Sequence, residues 1–147
     1  MSLNIPLLLK AFDWARDEDE KSVKDSQWKQ VWWASGFDDS EITIGKWIAQ
    51  EPAECGTSFC IAGFICNDAG DTFLREEGSG VDFVARSDDG KIEHIPLRAM
   101  DLLGISDDER AVEICDFMFD EENNLAGVRA CMIELVEHYG YDWEMLS

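Results

Sequence analysis

The sequence predicts a mainly helical α+β domain: a buried central helix packed by amphipathic helices, with one β-hairpin inserted. Three observations carry that expectation. Apolar residues recur at helical spacing through most of the chain. Residues Phe59–Cys66 (FCIAGFIC) are apolar without interruption. Between residues 81 and 95 the period changes from about 3.6 to 2, the change that separates a helix face from a strand face. With 147 residues the chain is long enough to bury a real core, and no linker, repeat or low-complexity run divides residues 1–147 into more than one domain.

Taken in order, Leu8, Phe12 and Ala15 form the apolar stripe of a first helix, with Pro6 tolerated in its first turn and Asp17–Glu20 ending the pattern. A second helix is expected over Ser26–Ala34, where Trp28, Val31 and Trp32 share a face and Ser35-Gly36 stop it. Neighbouring residues on a helix differ by about 100°, so Trp32 and Trp33 cannot both face inward; one sits at a seam or is exposed. Ile42, Ile44 and Trp47 nearly alternate, which suits a short strand or an extended lead-in. Thr57 then reads as the N-cap of the central helix, Ser58 to about Asp68, with Gly70 as its C-cap. That helix is apolar almost all round, so it belongs inside; Ala62 and Gly63 let a neighbour approach closely.

Two strands, Val81–Ala85 and Lys91–Ile95, follow around a turn at Ser87–Gly90. Pro96 opens a helix ending at Gly104. Ser106 with Glu109 three residues on reads as a capping box, and Ala111, Val112, Cys115, Met118 and Phe119 form the apolar face behind it. The last helix, about Leu125–Tyr139, carries Leu125, Val128, Met132, Leu135, Val136 and Tyr139 on one face, and Tyr139, Tyr141 and Trp143 pin the tail to the core.

Two stretches resemble a known group. CGTSFCIAG, with Trp47 eight residues upstream, and AMDLLGISDDERA are similar to the Cys-Gly-Thr-x-x-Cys-x-Ala-Gly signature, and its following Leu-Leu-Gly-Ile-Ser step, of small uncharacterised proteins encoded by bacteria and phages. The resemblance rests on Cys55, Gly56, Thr57, Cys60, Ala62 and Gly63. It implies a fold and a bacterial or phage setting, and carries over no activity.

Charge is the dominant compositional fact. Thirty-two acids against twelve bases give a formal net charge of −20. Residues 99–147 hold 13 acids and 2 bases, a net −11 in a third of the chain. Such a surface repels phosphates, which argues against direct nucleic-acid binding, and attracts a basic protein. The longest clean apolar run falls far short of the ~20 residues a membrane-spanning helix needs, and residues 1–9 lack the basic start of a signal peptide. The expectation is a cytoplasmic protein (in the bacterium, or in the host if phage-encoded) without membrane contact.

Two function classes stay open. On the helix after Ser106, the acids Glu109, Glu113, Asp116 and Asp120 recur at i, i+4, i+7 and i+11 opposite the apolar face, with Arg110 alone among them. Like charges at i+4 cost a few tenths of a kcal/mol, so stability alone does not explain the stripe. It reads either as a solvated face of an acidic protein or as an interface for a basic protein, one form of which would be imitation of nucleic acid. The other class is a thiol-dependent enzyme or redox protein: Cys60 at position N3 of a helix capped by Thr57 would be favoured as thiolate by the helix dipole, with Cys55 as resolving partner and His94 or His138 as base. Against it, the apolar neighbours Phe59, Ile61, Phe64 and Ile65 would raise the thiol pKa, and no base-orienting acid can be picked out.

No metal or other cofactor is expected. Cys60 and Cys66 on one helix stand ~9 Å apart along its axis, too far for one zinc ion. In a calcium loop starting at Asp120, Leu125 occupies the position that needs glycine and Cys131 the position that needs glutamate. Oligomeric state is not written in the sequence.

Overall fold

The computed structural model describes residues 3–21, 34–35, 37–44, 47–52, 58–76, 82–120 and 123–146. Its elements are α1 (Ile5–Asp19), β1 (Ala34–Ser35), β2 (Phe37–Ile44), β3 (Trp47–Pro52), β4 (Ser58–Phe59), α2 (Ile61–Asp68), β5 (Thr72–Glu76), β6 (Asp82–Ala85), β7 (Ile92–His94), α3 (Ile95–Leu103), α4 (Glu109–Met118), α5 (Leu125–His138) and α6 (Trp143–Leu146). Helix prevails over strand, and the architecture is the mainly helical α+β arrangement expected.

The central helix is where the sequence placed it, and it is buried: Ile61, Ala62, Gly63, Ile65 and Cys66 are all enclosed. It packs against α3 and α1, and the small pair Ala62-Gly63 is buried. Its start is different. Ser58 and Phe59 are extended and paired antiparallel with Ser35 and Ala34, so their backbone groups belong to a two-stranded ribbon and the helix cannot begin there. Cys60 becomes the N-cap, with extended φ and ψ of −83° and −178°, and its Sγ accepts from the Gly63 amide at 3.3 Å. The expected cap Thr57 lies outside the described residues, as do Cys55 and Gly56. Ala69 forms the C-cap, and Gly70 follows at φ +81°, the left-handed geometry glycine tolerates best.

The hairpin is also present, and it is one end of something larger. β6 and β7 pair antiparallel, Phe83 opposite His94 and Ala85 opposite Ile92. They extend a five-stranded antiparallel sheet of order β2-β3-β5-β6-β7. The alternation around Ile42 and Trp47 resolves into β2 and β3, with Ile44 opposite Trp47. β5 was not read from the sequence; it pairs with β3 on one side and β6 on the other. Phe73 and its partner Val84 join the main core, while Leu74, on the opposite face, is fully buried outside that cluster. Both faces of β5 are thus covered, and a two-sided strand shows no alternation. Ala34 and Ser35, expected at a helix end, are extended in β1; the rest of that expected helix, Trp32 and Trp33 included, lies outside the described residues.

The remaining helices follow their periodicity. α1 buries Leu8, Ala11, Phe12 and Ala15, and Asn4 caps it by accepting from the Leu7 amide at 3.3 Å. α3 ends at Gly104, in the left-handed region at φ +79°. α4 buries Ala111, Ile114, Cys115 and Met118, and α5 buries Val128, Met132, Leu135 and Val136. The capping box is corrected by two residues: Asp108, not Ser106, caps α4, its carboxylate accepting from the Ala111 amide at 3.1 Å, and Glu109 is the first helical residue. An ionised carboxylate is the stronger acceptor there, and Ser106 instead faces Asp101 at 3.4 Å. Trp143 pins the tail by meeting Phe12 edge-on at 5.3 Å, whereas Tyr141 is exposed. Among the described residues no helix is long and apolar enough to cross a membrane.

Candidate functional site

α4 turns Ala111, Ile114, Cys115 and Met118 inward, which leaves Glu109, Glu113 and Asp116 exposed on the other side. Asp120 stands two residues past the last helical residue, also exposed, with its amide bonded to the Phe117 carbonyl at 3.2 Å. The four acids therefore remain on the surface, three on the helix and one beyond its C-cap. Arg110 spans from this stripe to the next helix: its guanidinium lies 3.4 Å from Glu113 and is paired with Glu134 of α5. Glu134 and Glu137 are exposed on α5 and carry the negative surface across the helix pair.

Between α4 and α5 runs a groove of about 420 Å³ that sequence reading did not anticipate, lined by Arg110, Ile114, Phe117, Asp120, Asn123, Gly127, Cys131 and Glu134. Phe117 is 65% exposed, although it neighbours the core residues of α4. Asn123 shapes one end: its amide donates to the Phe117 carbonyl at 3.0 Å, and its side-chain oxygen accepts from the Asn124 amide at 3.1 Å. A Cβ at Gly127 would come within 1.7 Å of the Asn123 side-chain oxygen, so a larger residue there would displace the Asn123 side chain. Asn124 caps α5 by accepting from the Gly127 amide at 2.9 Å. Asn123 and Asn124, which follow Asp120 in the stretch weighed as a calcium loop, thus serve a helix junction. The groove left one sequence signal: Phe117 is apolar at a position off the core face of α4.

A second junction joins the far ends of the same two helices. The Asp108 carboxylate, besides capping α4, lies 2.9 Å from His138 Nε2 in the last turn of α5. Capping the Ala111 amide and the contact with His138 together hold Asp108 down at about 2. His138, one of the two bases considered for the thiol, is thereby committed to Asp108. His94, the other, is exposed on β7 and stacks obliquely on Phe83 at 4.4 Å.

The thiols are shut in. Cys60 has no exposed surface, and burial pushes its pKa up to about 12 despite the backbone amides at the helix start. Cys66 is raised too, mainly by burial, and its thiol donates to the Ile95 carbonyl at 3.6 Å. Cys115 is likewise pushed up to about 12 by burial. Cys131 alone of the described cysteines is half-buried, opening on the groove. In a Cys55→Ser background, maleimide is therefore expected to label Cys131 first, with Cys60, Cys66 and Cys115 following only on unfolding. Mass mapping of the labelled peptides checks this; rapid labelling of Cys60 in the folded protein would return the nucleophile to consideration. Among the described residues no three His, Cys, Asp or Glu side chains come together in a way that could hold a metal ion.

One further cluster was not foreseen. Arg98 and Asp71, both buried, form a two-pronged ion pair at 2.8 and 3.1 Å. Around them Arg86 reaches Asp88 and Asp101, each at 3.3 Å. The cluster ties the start of β5 to the β6–β7 turn and to α3. No protein-family profile, curated protein or solved structure matches this chain.

Proposed function

We propose that the chain is a non-enzymatic interaction protein, bacterial or phage-encoded and cytoplasmic, that binds a basic host protein through its acidic C-terminal helices. The observation that carries the reading is the exposure of Glu109, Glu113 and Asp116 on one side of α4 and of Asp120 just past its C-cap, beside the exposed Glu134 and Glu137 of α5. Two arginines in residues 99–147 offset little of that charge, and Arg110 is shared between two carboxylates. A field of this sign and density steers a basic partner toward the surface and fades with salt. The acids on α4 step by ~4.5–6 Å along the axis, comparable in sign and density to the phosphates of a nucleic-acid strand, so a partner that normally holds nucleic acid fits this reading.

Reversing two charges tests it. Glu113→Lys with Asp116→Lys is expected to weaken capture of a basic partner from nuclease-treated bacterial lysate about tenfold or more at low salt, with helix content unchanged by circular dichroism. Partner capture that ignores both salt and the reversal would sink the proposal. The thiol-enzyme reading has the buried, high-pKa Cys60 against it and no observation in its favour among the described residues.

A further inference from the structure

We infer that the groove between α4 and α5 seats a basic amphipathic helix of the partner, with one apolar side chain of that helix packed on Phe117. The inference rests on the acidic-interface reading and goes beyond it by naming where the partner lies and what shape its binding segment has.

The floor and the rim of the groove differ in chemistry. Ile114 and Cys131 supply an apolar floor, and the ring of Phe117 stands beside it, mostly in water. A single exposed aromatic is ordinary on a protein surface. Here it borders a concave apolar site, the arrangement in which a partner's large side chain becomes an anchor. The two ends are charged. Asp120 and Asn123 mark one end, and Arg110 with Glu134 marks the other; Glu113, outside the lining but 3.4 Å from the same guanidinium, adds a second carboxylate and leaves a net negative charge there.

Spacing sets the shape of the occupant. From Arg110 to Met118, the last helical residue, α4 advances eight residues, about 12 Å at helical rise; Asp120 stands two residues farther on, and Phe117 lies three residues before it. A partner helix aligned with the groove would carry two lysines or arginines about ten positions apart, with its apolar anchor nearer one of them. Asn123 donates to the Phe117 carbonyl at 3.0 Å and so ties the start of α5 to the end of α4 beside the exposed ring.

Charge selects among occupants. Residues 109–138 hold eight acids and two arginines. A second copy of this chain would bring two such surfaces together, and a nucleic acid would meet like charge. A basic peptide meets the opposite sign at both ends.

The test uses the full-length protein and a fluorescein-labelled, alanine-rich helical peptide. It carries two lysines about ten positions apart and one tryptophan three positions from the first. Anisotropy at low salt is expected to show binding that weakens about tenfold or more for Phe117→Ala and equally for the peptide with serine in place of tryptophan. The two changes together should cost no more than either alone, as for partners in one contact. Cys131→Met, which fills the floor, should weaken binding without touching the charges. If Phe117→Ala and Cys131→Met leave affinity unchanged while Glu113→Lys with Asp116→Lys lowers it, the groove is wrong and the acidic-face reading survives. If the charge reversal also has no effect, both fall. No binding of the peptide overturns the groove, and so does a dimer, seen by sedimentation, that Phe117→Ala dissolves.

Discussion

Replacing Arg98 with methionine is expected to cost the fold about 3–5 kcal/mol, read as a fall in Tm on the order of 10 °C for a chain of this length. The arginine side chain is 3% exposed and the Asp71 side chain 0%. Asp71 receives Arg98 Nε on one oxygen, and Arg98 Nη2 together with the Ser87 amide, at 2.9 Å, on the other. Ser87 in turn donates from its hydroxyl to the Ala69 carbonyl at 2.8 Å. Removing the guanidinium leaves a buried carboxylate whose remaining described partner is one amide, and an uncompensated buried charge costs far more than a surface one. Asp71→Leu combined with Arg98→Met is expected to recover most of the loss, because it removes both desolvation penalties and leaves an apolar contact of similar volume. Chemical denaturation of the two single variants and the double variant checks this. Equal destabilisation in the double variant would mean the junction depends on shape and not on charge compensation.

A second large effect is expected at high pH. Burial pushes Cys60 and Cys115 from an ordinary 9.0 up to about 12. Tyr139 rises from 10.0 to about 12, first through burial and then through its hydrogen bond to Asp108. In each case the folded pKa lies above the unfolded one, so the folded state favours the protonated form. The stabilisation is complete below about pH 9 for the thiols and is lost as pH rises toward 12. Each thiol adds a slope approaching 1.4 kcal/mol per pH unit in that window, roughly. Two such thiols approach the whole stability of an ordinary domain, about 5–15 kcal/mol. Cooperative alkaline unfolding is therefore expected between about pH 10 and 12, followed by far-UV circular dichroism with pH. Cys115→Ala should flatten the pH dependence, and its slope is the informative quantity, since the substitution also changes packing. An unchanged slope would mean the thiol ionises without opening the fold.

The same burial bears on function. The residues that stand out in the sequence, from Cys60 to Gly63, are fully buried. On the α4–α5 face, by contrast, charge, an exposed ring and a concave floor coincide.

What the sequence alone determined was local. α1, α3, α4 and α5 could be read because each keeps one apolar face over several turns, and a helix face is set by residues three and four apart. The β6–β7 hairpin was legible from its change of period and the Asp-Gly turn, and the exposure of the acidic stripe from its phase opposite that apolar face. Apart from the local shift of the α4 cap to Asp108, only the tertiary structure decided the rest, and there the deciding contacts join distant positions. Ser58 and Phe59 are extended because Ala34 and Ser35 pair with them, which moves the start of the central helix to Cys60. β5 exists because β3 and β6 flank it and both its faces are covered, erasing the alternation that would have announced it. Asp71 and Arg98 meet across 27 residues, and Arg110 and Glu134 across 24. Neither pair leaves a local pattern, because an ion pair needs only that the fold bring two charges together, and the chain between them is free to have any composition.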